Sequence, residues 1–194
     1  MLALVAVLLG ALFFYRSVAT RNQKKLSSNM VAIAHAELVV EYLSADLRSM
    51  MAPNPRAGLP GCRIAADGRA LAFYRLELGK SSMRAVPVVY RAEPSGKGHG
   101  NLVIKRDGRP LGTALLQKFE VHQQDIRDAP RIALTVVGIG QDVPPESLAE
   151  SDRHQISISI SYPEVSPAAI LGLPEAASSI LSRAIDVRGS LPTL

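Results

Sequence analysis

MLALVAVLLGALFFYRSVATRNQKKLSSNMVAIAHAELVVEYLSADLRSM, residues Met1 to Met50, is the stretch that decides the fold. Its first fifteen residues, to Tyr15, carry no charge and no strong polar group, and they pass without a break signal into a more polar helical pattern. Ala34, Leu38, Tyr42, then Leu43, Leu47 and Met50 recur at three- and four-residue spacing, with Glu37, Glu41, Asp46 and Arg48 interleaved. Helix propensity is high throughout, and no proline occurs before Pro53. Pro53-Asn54-Pro55, with Gly58, Pro60 and Gly61 behind them, end the pattern. The spacing therefore predicts one helix over Leu2–Met51, about 75 Å long at 1.5 Å per residue. A small domain is much narrower than that, so the first half must bury its surface in a bilayer or against other chains.

The rest of the chain bounds what that helix serves. At 194 residues there is room for one domain and an accessory element. Hydrophobic residues make up 47% and aromatics only 5%, with no Trp, so the core must be built from Leu, Ile, Val and Ala. The formal charge of +5 is concentrated: Arg16, Arg21, Lys24 and Lys25 follow the apolar run, and no acidic residue occurs before Glu37. A basic collar beside an apolar segment suits a membrane headgroup layer. No basic face interleaved with aromatics occurs elsewhere, which argues against nucleic acid as a partner.

The apolar run is shorter than the roughly 20 residues of a full membrane span. It is nonetheless apolar all round, unlike the single stripe of a soluble core helix. It also lacks a preceding basic region and a small-residue cleavage site, so it does not read as a removable signal peptide. Basic residues after a span hold the C-terminal body in the cytoplasm, unless a basic leader precedes the span.

Beyond Pro53 the pattern is of strands: Leu71–Glu77, Val86–Ala92, Leu102–Arg106, Phe119–His122, Ile132–Val137 and Gln155–Tyr162. Asp107-Gly108 is a hairpin signal. In the last strand Ile156, Ile158 and Ile160 alternate with Ser157, Ser159 and Ser161, sending one face to the core. Leu111–Lys118 fits a helical turn or a bent strand. Gly138, Gly140, Pro144 and Pro145 read as a long loop, and one or two short helices are expected within Pro167–Ile185. The fold class is α+β: a long N-terminal helix, its first part transmembrane (1–52), on an antiparallel β-rich domain (53–165), with a helical or irregular tail (166–194).

Chemistry finds little footing. His35, His99, His122 and His154 have no metal-ligand spacing. Ser95–Gly100 (SGKGHG) lacks the Walker order, since Gly98 follows Lys97, and reads as a hairpin tip. Asp125, Asp128, Asp142 and Glu146 lack a calcium-loop signature. Ser147–Glu150 fits a capping box. Cys62 is the one cysteine, so no internal disulfide forms, and in GLPGCRI a half-buried structural thiol is expected. No catalytic residue, cofactor site, metal site or small-molecule substrate is expected.

In order and spacing, YLSADLRSMM (Tyr42–Met51), LAFYRLE (Leu71–Glu77), VPVVYRAE (Val86–Glu93), LVIKRDG (Leu102–Gly108), FEV (Phe119–Val121) and IALTVVG (Ile132–Gly138) follow the apolar rod. Together, over about residues 1–165, they resemble a type IV pilin-like protein, most like a J-type minor pseudopilin of type II secretion systems. The resemblance implies a structural subunit of a membrane-anchored filament. It would be single-pass in a bacterial inner membrane, with its globular domain in the periplasm and other pilin-like subunits as partners. Leu4, Val5, Leu8, Leu9, Leu12 and Phe13 would pack in the bilayer and then against neighbouring rods. Arg16, Arg21, Lys24 and Lys25 would hold the headgroup boundary. Leu38, Tyr42, Leu43 and Leu47 would pack on the strand face carrying Ile156, Ile158 and Ile160. The family is cleaved at a Gly before a Phe or Met and carries a Glu five residues on. This chain has neither, and the expectation is a natural start upstream of Met1. A signal-anchored envelope binding module, with a flexible link over Arg21–Asn29, is the alternative.

Overall fold

The structure is a computed structural model that describes residues 2–51, 61–78, 83–96, 99–126, 129–161, 186–187, 190–192 and 194, with the side chains of the first helix described from Gly10 onward. Helix α1 runs from Leu2 to Arg48, 47 residues and about 70 Å. Strands β1 (Arg63–Ile64), β2 (Ala70–Leu78), β3 (Met83–Pro94), β4 (Leu102–Arg106), β5 (Arg109–Ile126), β6 (Ala129–Ile139) and β7 (Arg153–Ser161) form one antiparallel meander in chain order. A two-residue strand β8 (Asp186–Val187) pairs parallel to β3 beside Arg84 and Ala85. The α+β architecture read from the sequence is the observed one. The helices expected within Pro167–Ile185, and the prolines Pro53 and Pro55 expected to end the helix, lie outside the described residues.

The helix stops three residues earlier than its pattern predicts. Ser49 and Met50 donate their N–H groups to Asp46 and Leu47 in tight three-residue closures, and the chain then joins the sheet. Met51 N–H donates to Tyr74 O, Leu76 N–H donates to Ser49 O, and Met50 bridges Arg75. Strand pairing beside β2, not the later prolines, ends α1.

Leu111–Lys118 is strand. It belongs to β5, whose first half pairs β4 and whose second half pairs β6, with register shifts between Val103 and Lys105 and between Leu116 and Lys118. Such bulges bend a strand and increase its twist. The curl brings the β1–β2 turn across to β5, where Val121 N–H donates to Gly68 O at 2.9 Å. Asp107-Gly108 makes the β4–β5 turn with φ of 52° and 78°, as a type I′ hairpin requires. Ser147 caps no helix: two three-residue 3-10 turns, Pro145–Ser147 and Glu150–Asp152, occupy that connection without a side-chain cap.

Inside the curl lies the main core, built from Leu71, Phe73, Val88, Tyr90, Ile104, Leu116, Phe119, Ile132, Leu134 and Val136, and closed by the helix. Phe73 and Tyr90 stack at 6.5 Å between ring centres. Alternation explains the membership, since each strand sends every second residue inward. Cys62 is half-buried against this core, and burial pushes its thiol up to about 12.

Candidate assembly surface

Helix α1 has two parts with different surroundings. From Ser28 onward, Ser28, Ala32, Ala36, Val39, Leu43, Asp46 and Leu47 are buried on one face. Their spacing of three and four residues is that of a single helical stripe. Before Ser28, Leu12 (63% exposed), Phe13 (79%), Phe14, Tyr15, Val18 and Leu26 all stand in the open. Arg16, Arg21, Lys24 and Lys25 are exposed on the same stretch. Leu4, Val5, Leu8 and Leu9 lie in α1, and their side chains are outside the described ones. No helix among the described residues is long and apolar enough to cross a membrane.

The buried stripe tapers from small to large. At its small end α1 lies directly on β6: a Cβ on Gly138 would sit 2.1 Å from Ala32 O, and one on Gly140 would sit 2.2 Å from Ser28 O. These glycines, which in sequence look like loop formers, are instead the places where helix and strand backbones meet. Gly138 lies within β6, and Gly140 directly follows it. The His35 ring nitrogen Nδ1 is 2.8 Å from Ile139 O and fixes the helix at the same level.

Of the residues expected at the helix–sheet contact, Leu43 and Leu47 are fully buried, and Leu38 is half-buried against the core, with Gly112 leaving it room. Ile156, Ile158 and Ile160 pack half-buried against the same core. Tyr42 does not join them. It is 47% exposed, because the sheet touches the stripe through Val39, Leu43 and Asp46 and leaves Tyr42 on the flank.

Asp46 is a further correction. Helical spacing puts it among the polar, outward residues, yet it is 5% exposed and faces the sheet. Its carboxylate accepts from Tyr90 Oη at 2.6 Å and from Arg75 Nη1 at 2.7 Å. Arg106 approaches with Nε at 2.7 Å and Nη2 at 3.1 Å. Arg75 also pairs with Glu77. A carboxylate near a helix C-terminus opposes the helix dipole, and two guanidiniums overcome that opposition. Burial works against the Arg75 charge, while Glu77 and Asp46 more than compensate and hold its pKa up. Burial, then the bond to Asp46, pushes the Tyr90 phenol up.

Each of four segments singled out by sequence supplies one member: Asp46 from Tyr42–Met51, Arg75 from Leu71–Glu77, Tyr90 from Val86–Glu93 and Arg106 from Leu102–Gly108. The signal was present in the alternation. Arg75 continues the inward row of Leu71 and Phe73, Tyr90 that of Val88, and Arg106 that of Leu102 and Ile104. Inward cations on the two strands that flank β3 call for a buried anion.

A second tie has no counterpart in the sequence pattern. Asn101, fully buried, donates through Nδ2 to Asp142 Oδ1 at 2.8 Å and to Val143 O at 3.0 Å, joining the β3–β4 hairpin to the β6–β7 connection. Arg153 clamps that connection through Pro145 O and Leu148 O. His122 is an exposed neighbour of Glu120 at 3.9 Å. Among the described residues, no three His, Cys, Asp or Glu side chains come together as a metal site.

The geometry defines a chain whose helix is pinned to the sheet from Ser28 to Leu47 and stands largely exposed from Gly10 to Ser27. Set against protein-family models, curated proteins and solved structures, the sequence and fold match none.

Proposed function

We propose that this chain is a structural minor subunit of a membrane-anchored, pilin-like filament, of the J-type pseudopilin kind, serving secretion or pilus biogenesis. The observation that carries the reading is the division of α1. One continuous helix is fixed to the sheet from Ser28 to Asp46, and its earlier part carries exposed Leu12, Phe13, Phe14 and Val18 beside a basic collar. Exposed apolar surface of that extent marks a place of contact. In this reading the apolar start of α1 seats in the inner membrane, Arg16, Arg21, Lys24 and Lys25 meet anionic headgroups, and the sheet domain stands in the periplasm. On assembly the same surface packs against the rods of other pilin-like subunits. The role requires no catalysis, cofactor or nucleic acid.

The signal-anchored binding module calls for a flexible link over Arg21–Asn29, and that stretch is helical. The proposal is tested by fractionating the native host. The full chain should resist carbonate extraction from inner membranes, and protease added to the periplasmic side should reach the sheet domain. Recovery in the soluble fraction, or a domain protected on the cytoplasmic side, would contradict it.

A further inference from the structure

Strand β7 closes the sheet at one side. It pairs with β6 through nine consecutive residue pairs, Arg131↔Ser161 to Ile139↔Arg153, without a bulge. No strand among the described residues pairs with its other edge. Folded proteins usually guard such an edge by keeping it short, bulging it, or placing Lys or Pro on it. The opposite edge follows that rule, since β1 has two residues. β7 follows none of it. From Gln155 to Ser161 the strand reads QISISIS, with no charge and no proline, and its one cation, Arg153, is engaged by Pro145 O and Leu148 O.

The two faces beside this edge are equally specific. Ile156, Ile158 and Ile160 pack on the core but are only half-buried, so the apolar layer under α1 is left incompletely covered there. On the other face Ser157 and Ser159 are exposed, with Thr135 and Gln155 near the Ser157 hydroxyl at 3.4 and 3.2 Å. A row of backbone groups without a partner strand among the described residues, an unfinished apolar layer and an uncharged polar face together describe half of a strand pair.

We propose that the outer edge of β7 takes up an extended segment of another polypeptide as an additional strand. The segment alternates β-branched or other apolar residues with small uncharged polar ones. Its apolar side completes the cover over Ile156, Ile158 and Ile160, and its polar side lies beside Ser157 and Ser159. A charge at its inward positions would be desolvated against isoleucine with no counter-ion. The edge itself does not depend on the filament reading. The choice of a different chain over a second copy does, because two β7 strands related by a two-fold axis run antiparallel. That pairing would point the two α1 rods in opposite directions, which rods assembling side by side exclude.

The test uses the full chain in detergent micelles and a fluorescent peptide of sequence QISISIS bearing two terminal lysines. The peptide should bind saturably and slow hydrogen exchange at β7 amides. Ser157→Lys/Ser159→Lys, at two exposed positions, should weaken binding by about tenfold or more, with circular dichroism unchanged. A peptide with Asp at its central Ile should not bind. Absence of binding at millimolar peptide would overturn the proposal. So would β7 amides that are all protected in the dilute free chain, since its own residues would then cover the edge. A concentration-dependent dimer abolished by the double lysine variant would make the occupant a second copy, and would count against side-by-side rods as well. Membrane extraction of the chain, measured separately, reports on the filament reading alone.

Discussion

Replacing Asp46 with alanine should destabilise the fold by about 3 kcal/mol, because the change strands three groups that depend on its carboxylate. That carboxylate holds Tyr90 Oη, Arg75 and Arg106 at 2.6–2.7 Å. Removing one partner of a buried ion pair costs about 3–5 kcal/mol. The Arg75 and Arg106 side chains are 26% and 27% exposed, so water can reach them and the lower end applies. The Tyr90 hydroxyl is buried and would be left without its acceptor, a loss of about 1–3 kcal/mol that overlaps the first. Asp46→Asn keeps one acceptor oxygen, which Tyr90 and an Arg donor can still use, but removes the anion that the two guanidiniums pair with. It should cost about half as much. The assay is urea unfolding of the full chain in mild detergent, followed by circular dichroism. With a slope of about 2 kcal/mol per molar urea, Asp46→Ala should lower the midpoint by about 1.5 M at unchanged slope. Hydrogen exchange should quicken first at Leu43–Met51, with β5 and β6 still protected. A midpoint shift below about 0.5 M, or exchange that quickens evenly across the sheet, would refute the idea that Asp46 pins the helix end.

Three further expectations test other joints. Gly138→Ala drives a methyl into the Ala32 carbonyl 2.1 Å away; it should cost about 1–3 kcal/mol or more in the same urea assay, and a neutral result would mean the helix does not lie on β6. Asn101→Ala removes two part-buried hydrogen bonds of the side-chain amide and should cost about 1–3 kcal/mol, with faster proteolysis in the β6–β7 connection as the local sign. Stability should be level up to the ordinary thiol range and fall as pH climbs toward about 12, because burial holds the Cys62 thiol at about 12 and also raises the Tyr90 phenol. A group whose folded pKa is raised contributes fully below its unfolded value and loses that contribution above it. Cys62→Ser should remove the earlier part of the alkaline fall, and a curve unchanged by it would place the thiol in water.

The long helix and most strand positions were legible because each rests on local pattern: unbroken helix formers to Met51, and the Ile–Ser alternation of β7. The features hidden from sequence reasoning are set by approach between distant elements. Gly138 and Gly140 look like loop residues until α1 is laid on β6, when their missing side chains become the reason the two backbones meet. Leu111–Lys118 resists assignment because the bulge after Leu116 interrupts its alternation. Asp46 reads as outward because helical spacing alone treats every carboxylate on an amphipathic helix as solvated. Only the inward rows carrying Arg75, Tyr90 and Arg106 say otherwise. Tyr42 errs in the opposite direction: a large apolar-bodied residue at core spacing sits on the flank, where its ring is half in water.

Site-specific photo-cross-linking in native cells reads out whether the exposed part of α1 is an assembly surface. A photoreactive residue at Leu12 or Phe13, both exposed, should yield adducts with other chains that carry an apolar N-terminal helix, while one at exposed Arg91 on β3 should not. Lack of adducts from Leu12 and Phe13, or the same adducts from all three positions, would mean that this part of α1 is not an assembly surface.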